Sequence, residues 1–209
     1  GSGTVLVERY RLEERLSGPD PRRGSLWRAV DVMAGDLPVA MRQLETPVSQ
    51  ERLQGVWPQM QMLSHPQWPR CGELVGLDGA LWHVRDWEEG VAYDVLLRLR
   101  AGRQAPFSAG EVLLLLRQVL PVLSVLHGSG LVHGDLNPRH LLRRSSDGLP
   151  VLLEGGRLGP CARDGAWRDL HDLGGTALVL LGGTAGEDLC WPKHLELEAG
   201  FRQVLERLL

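Results

Sequence analysis

Cysteine is scarce in this chain: Cys71, Cys161 and Cys190 are odd in number, far apart, and include no Cys-x-x-Cys pair. That pattern supports neither a disulfide framework nor a cysteine zinc site, and free thiols fit a reducing compartment. An excess of either charge is lacking too. With 23 Lys and Arg against 26 Asp and Glu, the net charge of -3 offers no field for a nucleic acid or an anionic membrane surface to recognise. Long hydrophobic runs are absent as well. Val112 to Leu126 is interrupted by Arg117, Gln118, Pro121 and Ser124, and Leu173 to Gly183 is shorter. Both fall short of the roughly 20 apolar residues that cross about 30 Å of hydrocarbon, so both are expected as buried helices. Phe and Tyr number two each against seven Trp, so the aromatic candidates for a binding surface are tryptophans. No internal repeat or low-complexity linker is present. Gly1-Ser2-Gly3 stands where an initiator Met would and reads as a cloning remnant, with no signal-peptide pattern after it.

What is present is enough for one large core or two modest lobes: 209 residues, 43% of them hydrophobic. Residues from about Tyr10 to Leu44 read as three strands, broken at Gly18-Pro19-Asp20-Pro21 and Gly35-Asp36-Leu37-Pro38. Leu53 to Leu63 reads as a short amphipathic helix carrying Pro58, a residue helix interiors tolerate poorly. Glu73 to Trp87 supplies two more strands around Asp78-Gly79, and helices dominate beyond. Ser108 and Glu111 form a Ser-x-x-Glu capping box that starts the helix holding Val112 to Leu126.

The chemistry-bearing stretch is Leu131-Val132-His133-Gly134-Asp135-Leu136-Asn137-Pro138-Arg139-His140-Leu141-Leu142. It resembles the catalytic loop of the protein kinase superfamily. Such a loop needs an Asp to accept a hydroxyl proton, a nearby cation, and an Asn five residues on to hold magnesium. Other landmarks follow in order. Val39-Ala40-Met41-Arg42 resembles the Val-Ala-Ile-Lys of the third N-lobe strand, and Gly24 to Asp31 the end of the Gly-rich loop with the second strand. Leu63-Ser64-His65-Pro66 is similar to the turn after the family's N-lobe helix, and Val84 to Gly90 to its gatekeeper and hinge. Val151 to Gly156 sits where Asp-Phe-Gly is expected, and Asp169 to Gly174 resembles the start of the central C-lobe helix. Arg42 lies 93 residues before Asp135, and Glu154 lies 19 after it, as the family spacing requires. The resemblance implies an α+β, two-lobed kinase-like domain over about residues 8–209. Its β-rich N-lobe would cover about 8–87, and its helical, shortened C-lobe about 88–209, with the chain stopping inside a helix from Leu197 to Leu209.

Position by position, the groups that hold a metal triphosphate are altered. The stretch Leu16 to Gly24 contains two prolines without N–H groups and the carboxylate of Asp20, whereas Gly-rich loops hold phosphate with backbone amides. It reads as an ordinary turn, with Arg22 and Arg23 either replacing those amides or facing water. Arg42 replaces a Lys, keeping charge but not shape. Val56 stands where the resemblance implies the Glu that aligns that Lys. Asn137 stands in place of the usual Lys, His140 in place of the metal-binding Asn, and Glu154 and Gly155 in place of the Asp and Phe of Asp-Phe-Gly. Neutral imidazole suits magnesium poorly. Arg85 occupies the gatekeeper position, where a guanidinium must be paired or reach water. Two arrangements are open: Arg85, Arg42 or both bond Glu154 and fill the nucleotide space, or Arg85 bends outward to Asp86 or Glu88. His133 and Asp169 match structural positions of the family. Gly134 replaces the Arg that grips an activation-loop phosphate, and Arg157 to Arg168 contains no Ser, Thr or Tyr to carry one.

The expectation is a catalytically inactive pseudokinase with no cofactor or metal and poor ATP binding. It would act as a scaffold or allosteric regulator by binding protein, a second copy of itself included. It would do so in the cytoplasm, alone or as the cytosolic domain of a larger or membrane-tethered protein. The region of the N-lobe helix around Trp57 and Trp68 is the docking face to test first. Two alternatives remain: an atypical Ser/Thr kinase with residual nucleotide binding, and an aminoglycoside phosphotransferase-like enzyme, whose family shares His-Gly-Asp-x-x-Pro.

Overall fold

The computed structural model describes residues 2–184 and 199–209. Alternating side chains and Gly/Pro/Asp turns give a six-stranded antiparallel sheet of order β1-β2-β3-β4-β6-β5. Its strands are β1 (Val5–Leu6), β2 (Tyr10–Ser17), β3 (Ser25–Asp31), β4 (Leu37–Leu44), β5 (Cys71–Leu77) and β6 (Ala80–Asp86). The expected strands are all there. The sheet also takes in Val5–Leu6, ahead of the boundary expected at residue 8, because Leu6 is buried and pairs with Tyr10. Leu6, Tyr10, Leu12, Met41, Trp82 and Val84 form a cluster on one face, with Trp27 packed against it.

Between β4 and β5 lies helix α1 (Pro47–Met62), six residues longer at its start than the sequence indicates. The Thr46 side chain accepts from the Ser49 amide, and Pro47 enters at the first turn, where a missing N–H costs nothing. Pro58 does not end the helix. It sits on the exposed face, while Leu53, Val56 and Met60 are buried on the other, and that burial outweighs one lost backbone bond.

Below the sheet come β7 (Gly90–Ala92), α2 (Tyr93–Gly102), α3 (Ala109–Gly128), β8 (Leu131–Val132), β9 (Leu141–Arg144), β10 (Pro150–Leu152), β11 (Gly159–Pro160), α4 (Gly165–Leu180) and α5 (Ala199–Leu208). The capping box at Ser108 and Glu111 forms as expected. Helix α3 is long and apolar enough to cross a membrane by length and composition, which corrects the argument from length. Packing decides its place: Val112, Leu115, Val119, Val122, Leu123 and Leu126 enter a core shared with α1 and α4. The C-terminal helix appears as Ala199–Leu208; Leu197, Cys190 and Trp191 lie outside the described residues.

Candidate functional site

The sheet's twofold side-chain period places Arg42, His83 and Arg85 on its inner face, since Arg42 pairs with His83 and Ala40 with Arg85 across β4 and β6. All three are buried. They meet Glu154, which follows β10 and is only 3% exposed. Arg42 Nε donates to both Glu154 carboxylate oxygens at 3.0 and 2.9 Å. Arg85 Nε reaches Oε1 at 3.4 Å, and the Gly156 amide donates to Oε2 at 2.8 Å. Of the two arrangements open for Arg85, the internal bridge is the one adopted. Burial pushes the Glu154 carboxyl up, but Arg42 and Arg85 outweigh it and hold it well below the usual carboxylate range. Burial lowers the pKa of Arg85, with Glu154 opposing.

The bridge does not fill the nucleotide space. A cavity of about 690 Å³ remains beside it, lined by the β2–β3 turn, Arg42, Arg85, Asp94, His140 and Glu154. The expectation that the arginines would occupy that space is corrected: their guanidiniums lie against the back wall, bound to Glu154, rather than projecting forward.

The turn between β2 and β3 closes over the cavity through its own carboxylate. Asp20 Oδ1 accepts from the amides of Arg22 and Arg23 at 2.7 and 2.9 Å, so backbone donors of the kind that hold phosphate are spent on a side chain. Arg42 Nη1 donates to the Arg23 carbonyl at 3.0 Å. The Arg23 side chain crosses the cleft, and its Nε donates to Asp135 Oδ2. Arg23 therefore neither replaces the amides nor faces water alone. Burial raises the Asp135 pKa, yet Arg23 chiefly and His140 next bring it below its ordinary value.

The His140 ring is engaged by the catalytic loop itself. Its Nδ1 lies 2.6 Å from the Asp135 carbonyl and 3.2 Å from Asn137 Nδ2. Burial, then His133, pushes its pKa down to about 4, which leaves the ring neutral near pH 7. The ring also explains Gly155. A Cβ there would stand 2.6 Å from His140 Cε1, so the imidazole and an aromatic residue in place of Gly155 exclude each other. His83 is likewise pushed down to about 4, mainly by burial, and stacks edge-on to Trp57.

The catalytic-loop backbone is fixed from beneath. Asp169 accepts from the His133 and Gly134 amides at 2.8 and 2.9 Å, and its Oδ2 lies 2.8 Å from His127 Nε2. His133 Nε2 lies 2.6 Å from the Leu153 carbonyl, joining this loop to the strand before Glu154. Burial raises the Asp169 pKa, but His127 and the two amides bring it below its ordinary value.

Val56 is 1% exposed and packs in the hydrophobic core, so no carboxylate from α1 approaches Arg42. Instead α1 contributes Arg52, whose Nη2 donates to the carbonyls of Arg22 and Gly156 at 2.9 and 2.6 Å. Sequence reading missed Arg52 because the expected helix began at Leu53. It missed Asp20 as an amide acceptor, although Asp within a Pro-rich turn is a signal for that bond. Nothing local marked His127. Of the two tryptophans to test first for docking, Trp68 is 4% exposed in the core, which removes it as a docking residue, whereas Trp57 is half-buried against His83. Magnesium does not fit the residues present, since every Glu154 oxygen already accepts a donor and His140 offers no hard oxygen. Among the described residues, no group of three or more His, Cys, Asp or Glu is placed to hold a metal ion.

No protein-family model matches the sequence. The chain is 33% identical over 218 residues to serine/threonine-protein kinase-like protein E of Synechocystis sp., covering 99% of this chain and 35% of that protein. It is 23% identical over 157 residues to the probable serine/threonine-protein kinase PknB of Lactococcus lactis, covering 71% of this chain and 24% of that one. The chain thus spans about a third or less of these relatives. Among solved structures, the kinase domain of Mycobacterium tuberculosis PknI, as a double mutant, superposes with a TM-score of 0.73 at 23% identity, covering 90% of this chain and 80% of that one. With the strand order, the Asp169-anchored loop and the position of Glu154, these likenesses establish that the chain belongs to the protein kinase superfamily.

Proposed function

We propose that this domain is a pseudokinase: a kinase fold without phosphoryl transfer, acting by binding another protein or a second copy of itself. The observation that carries the reading is the Glu154 carboxylate, bound by Arg42 and Arg85 where a catalytic kinase would bind magnesium. Phosphoryl transfer rests on positioning and charge stabilisation. Here the cation and the carboxylate neutralise each other, the helix carboxylate is replaced by buried Val56, and His140 is neutral. Each tenfold of rate is about 1.4 kcal/mol of barrier, so several such losses together leave little turnover. The relatives carry kinase names, one of them kinase-like, and the reading sets this chain apart from them by residues rather than by fold. We place it in the cytoplasm, alone or as the cytosolic domain of a larger or membrane-tethered protein.

One observation favours a second reading. The cavity of about 690 Å³ beside Arg23, Arg42 and Arg139 falls in the range of ordinary ligand sites, so nucleotide held by arginines without metal is the competing function. A thermal melt with ATP, run with magnesium and again with EDTA, separates the two. Ligand at 100 times its Kd stabilises by about 2.7 kcal/mol, a shift of several degrees at this size. No shift and no transfer of labelled phosphate is the expected result. A shift that survives EDTA supports the second reading, and transfer that needs magnesium overturns the first.

A further inference from the structure

Beneath the catalytic loop, between α1, the paired strands β8 and β11, and the start of α4, lies a separate cavity of about 440 Å³. It shares no lining residue with the nucleotide cleft. Arg52, Arg157, Arg163 and Arg168 line it, against one carboxylate, Asp164, in a chain whose net charge is -3. Among the described residues, Arg157, Arg163 and Arg168 have no ion-pair or hydrogen-bond partner for their side chains. Arg52 is steered by the two carbonyls that its Nη2 reaches, which leaves its other N–H groups undirected. Arg52 is also crowded: burial first, then Arg157 and Arg42, lower its pKa. Helix α4 begins at this cavity with Asp164 in the capping position and no side-chain cap bond, so first-turn amides add a positive pole. The floor depends on two glycines. A Cβ at Gly134 would stand 2.8 Å from the Arg157 carbonyl, and one at Gly165 2.4 Å from Val132 Cγ1.

We infer that this four-arginine pocket binds a phosphomonoester dianion supplied by another molecule. Four guanidiniums lining one cavity against a single carboxylate are under-compensated in charge, and a phosphate that accepts forked N–H pairs is the ligand that relieves them best. The phosphate cannot come from the adjoining chain, because Arg157 to Arg168 contains no Ser, Thr or Tyr. The cavity exceeds the volume of one phosphate group and has room for the side chain that carries it. The site is independent of the pseudokinase reading, since no nucleotide or turnover enters its test.

The test measures binding of a fluorescent peptide bearing one phosphothreonine, its unphosphorylated twin, and inorganic phosphate as competitor, all without nucleotide. The phosphorylated peptide is expected to bind at least tenfold tighter than its twin, with the difference shrinking as salt rises. Arg163→Gln with Arg168→Gln, both at exposed positions, is expected to erase that difference while leaving the melting temperature unchanged. Competition by inorganic phosphate at concentrations matching the peptide's own Kd assigns the site to a small free phosphate. Competition only at concentrations tenfold higher or more assigns it to a phosphorylated protein. Equal binding of the two peptides without binding of phosphate, or a preference that survives the double substitution, overturns the inference.

Discussion

The floor of the cleft and its back wall are built from the same kinds of residue and do opposite things. On the floor, Asp169 accepts two backbone amides and approaches His127, so a carboxylate holds the catalytic-loop backbone in the shape a kinase needs. On the back wall, Glu154 accepts Arg42, Arg85 and the Gly156 amide, so a carboxylate that a kinase would leave open to a metal is closed by the protein itself. The lesson is that the geometry of a catalytic loop and its chemistry are held by different bonds. Loss of one does not entail loss of the other. The scaffold bonds serve folding whether or not anything is phosphorylated, whereas an open metal site is a cluster of like charges that only the ligand stabilises.

The largest effect that tests this contrast is at Glu154. Glu154→Leu alone leaves two buried guanidiniums unpaired and is expected to cost about 3–5 kcal/mol, read as a lower midpoint in urea. Adding Arg42→Met and Arg85→Met should recover most of that loss, since a buried ion cluster replaced whole by apolar groups is often neutral. A single substitution without cost would show that the back wall is solvated. Next comes Asp169→Asn. Its amide nitrogen faces donors rather than acceptors, and an expected loss of about 2–3 kcal/mol should appear as a fall of several degrees in melting temperature. A melt matching the unaltered protein would remove Asp169 from the scaffold.

A pH dependence follows from the two buried histidines. His83 and His140 have folded pKa values of about 4, below the ordinary 6.5 of an unfolded chain. Each therefore contributes its full stability above about pH 6.5 and loses it as pH falls toward and through 4, by up to roughly 3 kcal/mol each. His140→Asn should flatten that decline between pH 7 and 4.5, measured as the difference in urea midpoints. An equally steep decline in the variant would place the titration elsewhere. The smallest effect is expected at Arg23→Ala. The pair with Asp135 is partly exposed, so stability should change by about 1 kcal/mol or less. The Asp135 carboxyl pKa should rise once its main partner is gone, a change visible by NMR titration.

Legibility in the sequence followed how local each determinant is. The strand pairs around Asp78-Gly79 and the helix beginning at Ser108 were readable because a turn residue or a cap acts within four residues of itself. The start of α1 was not, because Pro58 gave a local signal against a helix that distant partners of Leu53, Val56 and Met60 overrule. The substitutions at Arg42, His140 and Glu154 were readable by their spacing around Asp135, and Val56 by its place nine residues before His65. Their consequence was only half readable: that Arg85 turns inward depends on the room beside Glu154, which a linear order of residues does not measure. Trp68 shows the same limit, since an indole that looks available for docking is consumed by the core. Arg52 and His127 lay outside the reading because each acts across a gap in sequence with no motif of its own, whereas Asp20 bonds amides only two and three residues on and carried a local signal.

By itself, then, the order of residues determined the kinase fold and marked Arg42, Val56, His140 and Glu154 as departures from the family pattern, because spacing and residue chemistry suffice for both. Tertiary structure alone decided that Glu154 is closed by two arginines, that Arg23 reaches Asp135, and that a cavity survives in front of them. Those outcomes depend on distances between side chains 69 to 112 residues apart, and on how burial balances charge at the place where they meet.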